Sequence, residues 1–224
     1  METLIFIGFA GLIILLFSAY AYYSDKKRKE AVLAVATELG LEFFQDGSSE
    51  LQDQLSAFKL FNSGRAKKLT KLIRGDSDEV RISIFDYQYT TGHGKQSKTH
   101  YQSVASLQSN ALRITDFLIR PEGIWDKVGG AMGFQDIDFD SHPNFSKMFV
   151  LQGSNEEAVR AMFKPAILEY FEGKKGISVE AQPGTIIIYR PGRYVKPPEI
   201  KNFMGEAYEV YGAIVDNLDP IVDA

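Results

Sequence analysis

The sequence predicts an α+β fold: one N-terminal transmembrane helix followed by a globular domain of antiparallel sheet with flanking helices. Three observations predict it. Twenty residues near the start, "LIFIGFAGLIILLFSAYAYY", carry no charge. Between residues 69 and 123, apolar and polar residues alternate in runs separated by turn formers, which is the pattern of strands. The last third places apolar residues at helical spacing, punctuated by Pro and Gly.

The uncharged run spans Leu4 to Tyr23. As a helix it covers about 30 Å, the thickness of the hydrocarbon core, so its expected partner is the lipid bilayer. Tyr20, Tyr22 and Tyr23 close it, where amphipathic rings favour the interface. Lys26, Lys27, Arg28 and Lys29 follow at once, while only Glu2 precedes it. The positive-inside rule then puts the N-terminus outside and the remainder in the cytoplasm, a single-pass protein of the inner (plasma) membrane. A cleaved signal peptide is the rival, since Ala19–Ala21 resembles a cleavage site. Against it stand the lack of a basic n-region, the length of the run and the bases just past the cut. Residues 1–25 are thus read as anchor and 26–224 as a cytosolic domain.

Of the 224 residues, 45% are apolar and 24% charged, and none is cysteine. A buried core is expected, and disulfides, thiol nucleophiles and cysteine zinc sites are excluded. Leaving out residues 1–25 removes Glu2 and Asp25 and leaves 25 bases against 27 acids. A near-neutral domain lacks the excess of positive charge that nucleic-acid binding draws on, so no nucleic-acid partner is expected.

After the anchor, Ala31, Leu33, Ala34, Ala36 and Leu39 among charges predict a helix running on from the span and stopped by Gly40. A strand is expected at Leu41–Phe44, then a turn and a short helix within "SSELQDQLSAF". Strands follow near Leu69–Arg74, Val80–Tyr89 and Thr99–Gln108, with a fourth in "LRITDFLIRPEG" ended by Pro121 and Gly123. Together these read as an antiparallel meander with a helix on one face. "IWDKVGGAMG" suggests a short helix and a possible seam between two lobes near residues 129–133. A strand is expected at Lys147–Gln152. Ser154 with Glu157 forms a capping box for the helix "NEEAVRAMF", and Pro165 starts the next. "ISVEAQ" and "TIIIYR" form a hairpin about Pro183–Gly184. A final helix from about Pro198 to Asn217 shares Phe203, Ala207, Val210, Tyr211 and Ile214 on one face.

Three stretches bear on chemistry. "YTTGHGKQSKTHY" sets glycines beside Lys95 as a phosphate loop does. The P-loop spacing fails, however: Tyr89 stands where the first glycine belongs, and Gln96 replaces the magnesium-binding hydroxyl. The strand pattern resumes afterwards, so it reads as a hairpin loop. In "FQDIDFDSH", Asp136, Asp138, Asp140 and His142 alternate, so an extended chain presents all four on one face. They are a candidate divalent-metal set, or the solvated face of an edge segment. His93 and His100 flank the hairpin loop, and neither an HExxH nor a GxSxG motif is present. "RAKKLTKLIR" holds Arg65, Lys67, Lys68, Lys71 and Arg74 with no acid. Near a bilayer such a strip can rest on anionic headgroups, and otherwise it is a solvated strand edge. In a regular strand Arg65, Lys67 and Lys71 share one face, and Lys68 and Arg74 the other.

The segments "FDYQYTTG", "SHPNFSKMFVLQG", "FKPAILEYFE" and "IIIYRPGRYVKP" together resemble an uncharacterised family of bacterial membrane-anchored proteins with a cytosolic alpha/beta domain. The resemblance covers roughly residues 40–215. It implies placement and architecture, and brings no reaction and no catalytic residue. The function expected is a membrane-tethered cytosolic interaction or ligand-binding module, without catalysis or cofactor, working with a protein partner. The alternative is a metal-dependent enzyme using the residues from Asp136 to His142.

Overall fold

The structure is a computed structural model that describes residues 2–123 and 135–218, with the side chains of residues 2–10 outside the description. Residues 124–134, which hold the expected short helix and the possible lobe seam, lie outside the described residues.

Among the described residues, eight strands form one antiparallel sheet. Helix α1 (Glu2–Glu38) leads into β1 (Glu42–Asp46), then α2 (Ser49–Leu55) and α3 (Lys59–Asn62). Strands β2 (Arg65–Asp76), β3 (Arg81–Thr91) and β4 (Lys98–Gln108) form a meander, with a single 3-10 turn, Gly94–Gln96, at the β3–β4 tip. The second half runs β5 (Phe117–Pro121), α4 (Pro143–Met148), β6 (Phe149–Gly153), α5 (Glu156–Met162), α6 (Pro165–Glu172), β7 (Ser178–Gln182), β8 (Thr185–Tyr189) and α7 (Ile200–Val215). Strand order is β1-β2-β3-β4-β8-β7-β5-β6. The fourth strand therefore lies away from the meander: β8 pairs with β4, while β5 sits between β7 and β6.

Helices cover both faces of this sheet, not one. On the first, α1 and α4–α7 pack over the larger core, which includes Val32, Ala36, Ile84, Ile119, Phe145, Phe171, Ile188 and Phe203. On the second, α2 and α3 lay Leu51, Leu55, Phe58, Leu60 and Phe61 against Tyr87, Tyr89, Ile187 and Tyr189. The two-residue strand period sorts these sets cleanly: Ile186 and Ile188 face one core, Ile187 and Tyr189 the other.

Local signals set the boundaries. Gly40, at φ +67°, takes the left-handed conformation that ends α1. Pro143 and Pro165 sit in the first turns of α4 and α6, where a missing N–H costs nothing. The cap of α5 is Asn155, whose side chain accepts a hydrogen bond from Ala158 N at 3.0 Å. Ser154, the expected cap, instead binds Asp116 through both its amide and its hydroxyl.

Helix α1 is continuous from the apolar run into the domain. Residues 11–27 are exposed throughout, with Leu12, Ile14, Leu15, Leu16 and Phe17 each more than half exposed, and Val32 and Ala36 are buried. Among the described residues no helix is long and apolar enough to cross a membrane. The run Leu4–Tyr23 begins outside the residues whose side chains are described.

Candidate functional site at the helix–sheet junction

One turn past the apolar run, α1 meets the sheet through paired charges. Arg28 donates to both carboxylate oxygens of Asp86 on β3, at 2.7 Å each. This is the planar two-point geometry that arginine favours. The Asp86 side chain is only 6% exposed and that of Arg28 19%, so most of the pair is withdrawn from water. Ser103 on β4 donates to Asp86 at 2.8 Å and accepts from Val195 N at 3.0 Å. The junction thereby ties three elements: α1, the sheet and the segment after β8. Arg28 also lies 4.9 Å from the ring centre of Tyr194, which in turn packs on Tyr101. Burial and the nearby Asp86 charge push the Tyr194 phenol up to about 12. One turn earlier, Asp25 accepts from Lys71 of β2 at 2.5 Å.

The segment after β8 is itself pinned. Arg190 makes two hydrogen bonds to Glu206 of α7, at 2.7 and 2.6 Å, and that contact holds the Glu206 carboxyl below its usual range. Arg28, Val32, Lys71, Asp86, Ser103 and Ile200 line a gap of about 10 Å³. That is scarcely room for one water. The junction is a joint, not a substrate pocket.

The five bases of the expected strip separate. Arg65, Lys67 and Lys68 are exposed, Lys71 is 8% exposed and paired with Asp25, and Arg74 is half-buried with its guanidinium 5.3 Å from the Phe44 ring centre. The expected sharing of faces fails because β2 is not regular. Register shifts fall between Arg65 and Lys68 and between Thr70 and Ile73, with Ala66 and Lys71 at φ +50° and +52°. These bulges re-aim the following side chains.

The aspartate run is extended but not a ligand set. Ile137 enters the core and its amide donates to Leu151 O at 2.8 Å, so the segment lies along β6. Asp136 accepts from Leu151 N at 2.8 Å, and burial raises its carboxyl above the usual range. Asp138 and Asp140 are exposed, and the Asp138 carbonyl accepts from Arg160. His142 precedes α4, with Nδ1 2.9 Å from Ser141 Oγ. Among the described residues no group of three or more histidine or acidic side chains could hold a metal ion. The described residues thus offer the metal-enzyme alternative no metal cluster. The glycine–lysine stretch is the loop of the β3–β4 hairpin, where His100 stacks on Tyr89 and sits 2.8 Å from Thr91 Oγ1. Burial and neighbouring Lys98 lower the His100 pKa.

A second polar cluster, on the opposite face, has no counterpart in the sequence reading. Glu180 of β7 is 3% exposed. It accepts from Tyr189 OH at 2.8 Å and from Leu60 N at 3.1 and 3.3 Å. Phe58 precedes α3 and offers no side-chain cap, so Glu180 supplies from the sheet beneath the acceptor that the helix start needs. Burial raises its carboxyl above the usual range, against the pull of those hydrogen bonds. The neighbouring cavity, bordered by Lys59, Asp116, Gln152 and Glu180, holds about 30 Å³. Water fits there and a substrate does not.

No family model and no curated protein matches the chain. Among solved structures, the crystal structure of the mycobacterial trehalose monomycolate transport factor A, TtfA, superposes with a TM-score of 0.61. The match covers 87% of this chain and 96% of that one, at 10% sequence identity. The two share a fold. At that identity no residue role passes between them.

Proposed function

We propose that the chain is a single-pass membrane protein, N-terminus outside and domain in the cytoplasm. Its domain is a non-catalytic interaction module serving the movement of lipid at that membrane. The observation that carries this is α1 itself. Leu12 through Tyr23 present large apolar or aromatic side chains to solvent on every side of the helix. A surface of that kind needs lipid or a partner to cover it. The same helix then enters the domain core at Val32 and Ala36, so the anchor is a strut rather than a tether. The shared fold with TtfA, named as a transport factor for trehalose monomycolate, favours lipid movement over other roles for such a module. The small gaps at both polar clusters favour protein or lipid surfaces over a small substrate as the partner.

The topology has a direct test. A reporter active only in the cytoplasm, fused after Ala224, is expected to be active, and one that needs the outer side to be silent. The reverse pattern would overturn the orientation, because Lys26, Lys27 and Lys29 would then lie outside. Turnover of a phosphoester or peptide by the purified full-length protein would contradict the non-catalytic reading.

A further inference from the structure

We propose that one end of the domain is a lipid-docking surface. Arg65, Lys67 and Lys68 at the start of β2, with Lys95 and Lys98 at the β3–β4 hairpin tip, hold the anionic phospholipid headgroups of the membrane that α1 enters. The inference rests on the membrane-anchored reading of α1 and gives the domain's near end a partner.

Strand pairing brings two segments distant in sequence to one end of the sheet. Arg65 lies opposite Thr90, Lys68 opposite Gln88, and Thr91 opposite Lys98. Arg65 fastens them further, donating to Gly92 O at 2.9 Å and Ser97 Oγ at 3.1 Å. All five bases are exposed, and residues 63–74 and 87–101 contain no Asp or Glu. The β2 bulge that buries Lys71 against Asp25 leaves Lys67 and Lys68 outside.

The direction of α1 puts this end at the bilayer. The C-terminal part of α1 and the residues just after it pack at the Gly75 and Ile82 end of β2 and β3, where Leu41 meets Gly75. Asp25 and Arg28 pack farther along the strands, at Lys71 and Asp86. Going up α1 toward the apolar run is therefore going toward the hairpin tip. From Asp86 to Thr91 the strand rises about 16 Å. From Arg28 to Tyr23 the helix rises only about 8 Å. The strand's rise therefore carries the tip to the level of Tyr20–Tyr23, about 8–12 Å above Arg28, and past them.

Beyond the Asp46–Thr70 pair, β1 no longer covers β2, and lysines there also discourage edge pairing. Edge protection gives no reason for Lys95 and Lys98 on the hairpin tip to add further bases at the same end. An anionic surface does, since each base near it favours docking by about fivefold.

The chain has no cysteine, so a single introduced one carries a unique label. Full-length protein with bimane on Gln96→Cys is reconstituted into vesicles of phosphatidylcholine with or without phosphatidylglycerol, with nitroxide on the lipid headgroups. Strong quenching is expected with phosphatidylglycerol, weakening as salt rises, and several-fold weaker with phosphatidylcholine alone. Reversing Lys67, Lys68, Lys95 and Lys98 to Glu should abolish the difference with the circular dichroism spectrum unchanged, Arg65 being spared to keep its hydrogen bonds. Equal quenching in both lipids, or quenching indifferent to salt in the wild type, would overturn the proposal whatever the variant does. A parallel label on Ser18→Cys separates the causes. If it is open to an aqueous quencher, the anchor reading fails and the docking surface with it. If it is shielded while Gln96→Cys stays unquenched, the docking surface alone fails.

Discussion

Arg28→Ala is expected to destabilise the domain by about 3 kcal/mol, near the low end for breaking a buried ion pair because Arg28 keeps some exposure. For a domain of this size that is a fall of about 10 °C in Tm. The cost comes less from the lost attraction than from what remains. Asp86 keeps one hydroxyl donor, Ser103, at a site almost closed to water. The packing of the guanidinium on Tyr194 goes as well. Arg28→Lys should recover only part of the loss, since an ammonium cannot bridge both carboxylate oxygens in one plane. Thermal unfolding of full-length protein in detergent measures both. A change in Tm of less than about 2 °C for Arg28→Ala would mean the pair does not hold α1 to the sheet.

Glu180→Ala is expected to cost about 3–5 kcal/mol, because it leaves the Tyr189 hydroxyl and the Leu60 amide without an acceptor and opens a void between the sheet and α3. Glu180→Gln should behave oppositely. Its amide oxygen can accept the same two bonds, and it carries no charge to bury, so it should stay within about 1 kcal/mol of wild type at neutral pH. The sign with pH follows from the raised folded pKa. The native carboxyl holds its proton more tightly than the unfolded one, so this group's contribution is fully present below the unfolded pKa. It is lost as pH rises through the folded value. Denaturant melts across that window should therefore show wild-type stability falling relative to Glu180→Gln. Parallel curves would mean the carboxyl is not raised.

Glu180 also shows what the sequence leaves unsaid. In "ISVEAQ" the alternation separates Val179 and Ala181 from Glu180, which looks like the wet side of a half-buried strand. Alternation distinguishes two faces and does not reveal what covers the second. Here α2 and α3 cover it, and only the contact with Leu60, 120 residues away, explains a carboxylate there. The same limit hides the pairing of β4 with β8, because neighbouring strands share no local mark. Local chemistry, by contrast, was legible. The helix after the apolar run, its stop at Gly40, the hairpin about Pro183–Gly184 and the buried stripe of α7 all stand where spacing put them. Helix α4 escaped because six residues beginning at a proline merge by pattern with the strand that follows. The bulges at Ala66 and Lys71 escaped because nothing but glycine advertises a positive φ. At the candidate site, the sequence alone presents Arg28 as one more base in the cluster that follows the apolar run. Its partner Asp86 lies 58 residues on and had no reason to be paired with it.

A rigid α1 fixes the distance between its apolar run and the domain core that it enters at Val32 and Ala36. Nitroxides on Ser18→Cys and Asp78→Cys, at the apolar run and at the far turn between β2 and β3, report it in full-length protein in bilayers. Electron–electron double resonance is predicted to give one narrow distance distribution, broadened in Arg28→Ala. A broad distribution in the otherwise unaltered protein, as a flexible tether gives, would contradict it.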